Sequence, residues 1–432
     1  MRNKSVCCLP ALLMLAACDE GSFPSSDGSG DLYFPNYYDG GGIPTPKCPG
    51  EETDISGTVL APNGKDPVPG ATVFIPAQVP EVFPPLVACE VCGHLGSTNN
   101  LWQTTTGADG KFTLKQVCPK QRPIVFQNGR FRRLIYVDVP PKTQVTLPPD
   151  KTRLPQRNKE FQKEDAIPKI AVATGDFDKM ECVLRKIGLP DGTFDLYEDA
   201  VSRKSPTPLP SFKDLVNNLQ KMKTYNIIFI NCTANTFESE LTKTLVRQNI
   251  TDYVQSGGRL YVTDWSYDWI EQVEGFSPFI DFEPGASGTA PEPHNAAALG
   301  ADGLQISATI KDPVLSAWLA NFPGAINTGS SHIEHFLIDW VMMHKLGTET
   351  KLWVEGQVRS QQGDIVGTKP LTVTFNFKNC GKILYTSYHT EGRESEILPE
   401  PYPNYCNTTM SPQDRILEFL IFDIASCIKP IE

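Results

Sequence analysis

The sequence predicts a multidomain chain in which an all-β domain precedes an α/β domain built on an open parallel sheet. Three observations predict it. Between Cys48 and Leu154, short strand-like runs are punctuated by Gly, Asn and Pro turns. From Ile167 onward, apolar strands alternate with segments of helical spacing. At 432 residues, with Gly 33 and Pro 37, the chain has room for two or three domains and many turns.

The N-terminus reads as a leader over residues 1–17. Arg2 and Lys4 precede an apolar run from Val6 to Ala17, which is too short to span a bilayer. Leu15-Ala16-Ala17-Cys18 resembles a bacterial lipobox, which implies cleavage before Cys18 and acylation of that residue. Several acyl chains on one residue exceed what stable anchoring needs. A plain secretory leader is the alternative. Residues 18–47 are rich in Gly, Ser, Pro and Asp, a flexible tether with a reach of roughly 30 Å. The expectation is an extracytoplasmic, lipid-anchored body in the cell envelope, at the outer or the inner membrane. A net charge of -11 argues against nucleic acid as a partner, because that affinity rests on neutralising phosphates.

In the all-β region, 48–154, Ile55 to Leu60 is a strand, Pro62-Asn63-Gly64 a turn and Gly70 to Pro76 a second strand. Asp109-Gly110 leads into a strand from Lys111, and Asn128-Gly129 predicts a hairpin with a type I′ turn. The segments ISGTVL…PVPGATVFIP and TTTGADGKFTL resemble carboxypeptidase regulatory-like domains. That resemblance implies a transthyretin-like sandwich, grouped with carbohydrate-binding-like folds. Arg130, Arg132 and Arg133 on the hairpin read either as contacts to anionic glycan or lipid headgroups or as a solvated strand face.

Residues 155–166 read as a linker and 167–432 as the α/β domain. Ile167 to Gly175 is a buried strand. Met180, Val183, Leu184 and Ile187 then recur at helical spacing, with Asp176 or Asp178 as cap and Gly188 as stop. Strands follow at Phe194–Tyr197, Tyr225–Cys232 and Arg259–Asp264, with helices near Phe212–Met222 and Leu241–Val254. Later come a helix near Pro313–Ala320, three strands ending in Lys382–Tyr388, and a helix opened by Ser411-Pro412.

In an open parallel sheet, ligands collect at the carboxyl ends of the strands. Those ends carry Asp176, Asn231, Cys232, Asp264, Ser266, His389 and Glu391, the candidate pocket. The element order, and the strand ending in His389-Thr390-Glu391, resemble the class I glutamine amidotransferase-like (flavodoxin-like) fold. There His and Glu serve a Cys in a Gly-x-Cys-x-Gly elbow. Here the elbow reads YVTDWSYDWI and lacks that Cys, with Trp265 or Ser266 at its place. Cys232 or Ser266 assisted by His389 and Glu391 would make a hydrolase or amidase. Asp264, Ser266 and Asp268 also resemble the Asp-x-Ser-x-Ser metal site of adhesion modules. His332 and His335, one helical turn apart, suit a metal ligand pair or a solvated pair.

Discounting Cys7, Cys8 and Cys18 leaves nine of the 12 cysteines, an odd number. Disulfides are expected within Cys48, Cys89, Cys92 and Cys118, for which a zinc site is the alternative. A further disulfide is expected between two of Cys380, Cys406 and Cys427, with Cys232 free and buried. TTTGADGKFTL, MECVLRKIG and GGRLYVTDWSYDW resemble a group of exported delta-proteobacterial, myxobacterial-type lipoproteins with this domain pairing. The reading is a non-catalytic binding or scaffolding protein, with no cofactor, no metal centre, and a glycan or envelope protein as partner.

Overall fold

The computed structural model describes residues 45–90, 100–159, 164–175, 177–198, 208–233, 238–282, 294–334, 336, 339–390 and 402–428. Residues Gly42–Glu432 form one compact unit. It contains a three-stranded, a five-stranded, a nine-stranded and a two-stranded sheet, a mixed α/β architecture.

The N-terminal strands are β1 (Thr53–Thr58), β2 (Thr72–Pro76), β3 (Asn100–Thr105), β4 (Lys111–Val117), β5 (Lys120–Asn128), β6 (Phe131–Val139), β7 (Gln144–Thr146) and β8 (Asp165–Ala166). They form a small sheet of order β4-β1-β7 and a larger one of order β3-β2-β5-β6-β8. Alternation drives the packing. In β4, Phe112 and Leu114 turn inward while Lys111, Thr113 and Lys115 face solvent. Phe112 meets Phe126 of β5 edge-on at 5.6 Å between ring centroids. The β5–β6 hairpin pairs Asn128 with Phe131, so its two loop residues are Gly129 and Arg130. Gly129 has φ +54 and Arg130 is not among the positive-φ residues. A type I′ turn needs both central residues at positive φ, whereas a Gly at the first position alone fits type II′. The expected turn is corrected accordingly.

The nine-stranded sheet has the order β10-β9-β11-β12-β19-β18-β17-β14-β15. Its members are β9 (Ile170–Thr174), β10 (Asp195–Glu198), β11 (Ile227–Ile230), β12 (Arg259–Thr263), β14 (Ile306–Ile310), β15 (Ser330–Ile333), β17 (Thr350–Arg359), β18 (Ile365–Phe377) and β19 (Gly381–Thr386). The strands from β10 to β19 run parallel, and those beyond β19 are antiparallel. The sheet is therefore mixed rather than wholly parallel. β13 (Ile280–Asp281) and β16 (Lys345–Leu346) make the two-stranded ribbon.

Both faces of the parallel part are covered, which is why its strands are continuously apolar. Ile170, Val172, Phe229, Tyr261 and Leu384 pack toward a core shared with α2 (Met180–Lys186), α8 (Pro313–Leu319) and α9 (Pro412–Ala425). Ala171, Ile228, Val262, Ile383 and Tyr385 face the opposite way, onto a core with α3 (Phe212–Val216) and α6 (Thr244–Gln255). α9 starts as the sequence predicts. Ser411 accepts from Asp414 N–H in a reciprocal capping box, with Pro412 at the first helical position. α2 ends as predicted at Gly188, whose φ is +101. Its start differs. Lys179 is the N-cap without a side-chain cap, and the Asp178 carboxylate instead accepts from Lys179 N–H and from Thr390. Asp176 lies outside the described residues.

The small sheets and the large one share a single core. Phe131 of β6 packs on Phe422 of α9 at 5.6 Å. Trp318 Nε1 of α8 donates to Pro67 O at 2.6 Å. A Cβ on Gly129 would lie 1.6 Å from Ala425 O, so the hairpin tip can sit on α9 only because that residue is glycine. The hairpin arginines are held by intramolecular contacts, and neither expected reading holds. Arg130 is buried, paired with Glu90 at 2.5 Å and bonded to Pro84 O and Leu86 O. Arg132 is fully buried with its guanidinium over Phe83, and Arg133 pairs with Asp165 at 3.0 Å.

Three disulfides join described residues: Cys48–Cys118, Cys89–Cys380 and Cys182–Cys406. Cys427 is disulfide-bonded too, and Cys232 is free and buried. The first bridge falls within the expected set. The other two correct the expectation, because Cys89 reaches Cys380 and Cys406 reaches Cys182. The physical reason is the docking of the segment that follows β2, residues 77–90. Val87 N–H donates to Lys223 O and Glu90 O accepts from Ile428 N–H, which carries Cys89 away from Cys118 and onto the edge of β19. Cys92 lies outside the described residues.

Candidate functional site at the carboxyl edge of the sheet

β11, β12 and β19 are adjacent and parallel, so the residues that follow them meet at one edge. β11 delivers Asn231 and Cys232, β12 delivers Asp264, and β19 delivers His389. Cys232 Sγ, an Asp264 carboxylate oxygen and a His389 ring nitrogen all lie within 4.8 Å of one another. His389 Nε2 is 3.1 Å from Asp264 Oδ2, and the Cys232 thiol donates to that same oxygen at 3.6 Å. Asn231, Cys232, Asp264, Ser266 and His389 are each no more than 1% exposed.

The backbone fixes each member of this cluster. Cys232 N–H donates to Thr263 Oγ1 at 2.8 Å, which ties the end of β11 to the end of β12. Val341 N–H donates to Asp264 Oδ1 at 2.7 Å and leaves Oδ2 facing Cys232 and His389. Gln413 Nε2, at the start of α9, donates to His389 O. Asp264 has φ +43, a left-handed conformation at the strand-to-helix junction. That is the strained turn in which an elbow nucleophile sits. Asp264, rather than Trp265 or Ser266, takes the left-handed angle at this junction. The sequence could not reveal this, since the junction is set by one backbone angle.

Electrostatics follow from burial. Desolvation and the neighbouring Asp264 carboxylate push the Cys232 thiol well above its usual range. For His389, desolvation lowers the pKa, but the adjacent Asp264 carboxylate outweighs it, and the net shift is upward. The 3.1 Å contact is nonetheless out of hydrogen-bond alignment, and neither ring nitrogen of His389 makes an aligned hydrogen bond.

Ser266 faces away from the cluster, donating its hydroxyl to Asn231 O at 2.9 Å. Asp268 accepts from Gln272 Nε2 at 3.3 Å and lies 3.2 Å from His294 Nδ1. Asp264, Ser266 and Asp268 therefore do not converge as an adhesion-type metal site would require. His332 sits on strand β15, not on a helix, and is exposed beside Glu334 at 3.4 Å, so the one-turn spacing to His335 does not apply. His335 and Glu391 lie outside the described residues.

Sequence reasoning missed part of the buried polar shell. Asn231 Nδ2 donates to Glu181 Oε2 at 2.9 Å, and Tyr405 hydroxyl donates to Glu181 Oε1 at 2.6 Å. Burial raises the Glu181 carboxyl. A signal existed. Glu181 precedes Leu184 by three residues, and Gln413 precedes Ile416 by three, so each lies on the apolar face of its helix.

No protein-family model and no curated protein matches the chain. Among solved structures, it is similar to a cytoplasmic protein of Salmonella typhimurium at 13% identity, covering 60% of this chain and 98% of that one, with TM-score 0.33. A protein described as ThuA-like from Bacteroides uniformis is similar at 13% identity over 59% of this chain and 90% of its own, with TM-score 0.33. Another from Parabacteroides merdae is similar at 12% identity over 61% and 91%, with TM-score 0.34.

Proposed function

We propose that the chain is a lipid-anchored, extracytoplasmic protein with a binding or scaffolding role and no hydrolase activity. In this reading a transthyretin-like sandwich is joined to a class I glutamine amidotransferase-like α/β unit, and the partner is a glycan or another envelope component. The observation that carries the non-hydrolytic reading is burial. Cys232, Ser266 and His389 are no more than 1% exposed, whereas a nucleophile has to meet its substrate in attack geometry. The thiolate is the reactive form of cysteine, and burial beside Asp264 favours the thiol. The disulfides support an oxidising compartment. The side-by-side, parallel placement of β12 and the His389-bearing β19 supports the amidotransferase-like reading.

A second reading has one observation in its favour. Asp264 occupies the left-handed elbow position 3.1 Å from His389, the arrangement of a carboxylate nucleophile with its base. One experiment separates the readings. The full chain and its Cys18→Ser variant are expressed in a diderm bacterium, fractionated, and treated with an acyl-chain probe, a fluorophosphonate and a thiol-reactive electrophile. Expected are membrane association and acyl labelling that disappear in Cys18→Ser, silence from the other two probes, and no ammonia from glutamine. Unchanged partitioning of Cys18→Ser overturns the anchor. His389-dependent labelling of Cys232 or Ser266, or turnover lost in Asp264→Asn, overturns the non-hydrolytic reading.

A further inference from the structure

We infer that Cys232, Asp264 and His389 form a binding site for one thiophilic divalent cation of the zinc class. The residue types are right for it. Thiolate, imidazole and carboxylate are the three zinc-binding side chains, and three protein ligands with one further position is a common zinc arrangement.

The distances are right as well. With Zn–N, Zn–O and Zn–S bonds near 2.0, 2.1 and 2.3 Å at tetrahedral angles, nitrogen and oxygen sit about 3.3 Å apart and sulfur and oxygen about 3.6 Å apart. The observed separations are 3.1 Å from His389 Nε2 to Asp264 Oδ2 and 3.6 Å from Cys232 Sγ to the same oxygen. Three donor atoms thus surround one point, and each is delivered by a different strand.

An independent observation points the same way. A buried imidazole normally finds hydrogen-bond partners, and orphaned buried polar atoms are uncommon. His389 is 1% exposed, yet neither ring nitrogen has an aligned partner, although a carboxylate lies 3.1 Å away. The imidazole and the carboxylate are thus adjacent without forming a hydrogen-bonded pair, as two ligands of one cation would be.

The surrounding contacts match what orients ligands. Val341 N–H holds Asp264 Oδ1 and so points Oδ2 at the cluster. Thr263 Oγ1 holds the Cys232 backbone, and Gln413 holds the His389 carbonyl. The proton balance follows from the ligands. The cation replaces the Cys232 thiol proton, which rests against Asp264, and the second ring proton that His389 carries when it is imidazolium, and both leave to solvent. The other described cysteines are in disulfides, so Cys232 is the single described thiol able to contribute. The inference does not depend on the proposed envelope role, which stands or falls by separate measurements.

The test uses the full chain in detergent, with disulfides intact, refolded with and without Zn2+ or Co2+. Metal content is read by elemental analysis and site geometry by the Co2+ absorption spectrum. Expected is one equivalent per chain, with tetrahedral Co2+ bands and a sulfur-to-cobalt charge-transfer band in the near ultraviolet. Cys232→Ala should abolish that charge-transfer band, and His389→Ala should weaken binding at least 100-fold. Because a buried substitution can also unfold the protein, near-ultraviolet circular dichroism of each variant is recorded. The wild-type spectrum alone decides the matter if a variant fails to fold. Less than a tenth of an equivalent bound by folded wild type, or a charge-transfer band that persists in Cys232→Ala, overturns the inference.

Discussion

At the scale of single residues, Asp264 concentrates three demands. It takes a left-handed backbone angle, accepts the Val341 N–H, and faces His389 and Cys232. Asn tolerates that angle and keeps an acceptor for Val341, whereas Ala does neither well. In chelator, Asp264→Ala should therefore cost about 2 kcal/mol more than Asp264→Asn, from an orphaned buried N–H and the strained angle together. Urea unfolding with unchanged slope checks this, and equal losses for the two substitutions would remove Asp264 as the fixed point of the site. The residues of this edge were readable because strand ends are readable. Apolar runs located the carboxyl termini of β11, β12 and β19, and whatever followed them had to meet. What was hidden depended on one torsion angle at Asp264, whereas the inward polar residues of α2 and α9 carried a signal in their spacing.

At the scale of elements, α9 is the hinge pin between the small sheets and the large one. Arg415 on α9 is bonded to Asp66 and Glu418, both at 2.7 Å, and Glu418 is fully buried with Oε1 unpartnered. Burial, and then the charge of Asp66, raise the Glu418 carboxyl well above its ordinary value of 4.5. The sign follows from linkage. A carboxyl whose folded value is raised contributes stability that is complete below its unfolded value and is lost as pH rises through the folded one. Wild type should therefore lose stability relative to Glu418→Gln as pH climbs above about 4.5. Thermal unfolding of both proteins between acid and neutral pH measures the difference. A gap that does not change with pH would mean Glu418 titrates alike in the folded and unfolded chain. The helix itself was legible, down to its Ser411 cap and Pro412. The burden it carries was not, because Asp66 is 349 positions from Arg415 in sequence.

At the scale of the whole molecule, the change of period near Ile167 separates two kinds of sheet, yet one core and the Cys89–Cys380 bridge run across it. Cys89–Cys380 and Cys182–Cys406 close loops with sequence separations of 291 and 224. By loop-closure entropy each can contribute up to about 5 kcal/mol. Mass mapping of the unreduced protein should find Cys48–Cys118 and these two bridges, with Cys232 as a free thiol. Calorimetry should show one unfolding transition. Recovery of Cys89–Cys118, or two separate transitions, would instead describe two independent domains. Cysteine parity predicted an unpaired thiol correctly. It could not predict connectivity, since the partner of Cys89 is chosen by the docking of residues 77–90.

The 291-residue reach of the Cys89–Cys380 bridge also sets an order of events during synthesis. In the proposed export, with the N-terminus leading, Cys89 reaches the oxidising compartment 291 residues ahead of its partner. Cys118 and Cys92 emerge during that wait, and both are nearer competitors than Cys380. A bridge formed early to either of them has to be reopened by thiol–disulfide exchange before β19 can take its place beside β12. An isomerase that keeps such early bridges reversible should therefore raise the yield of native protein on oxidative refolding, and equal yields with and without it would show that the early bridges do not form.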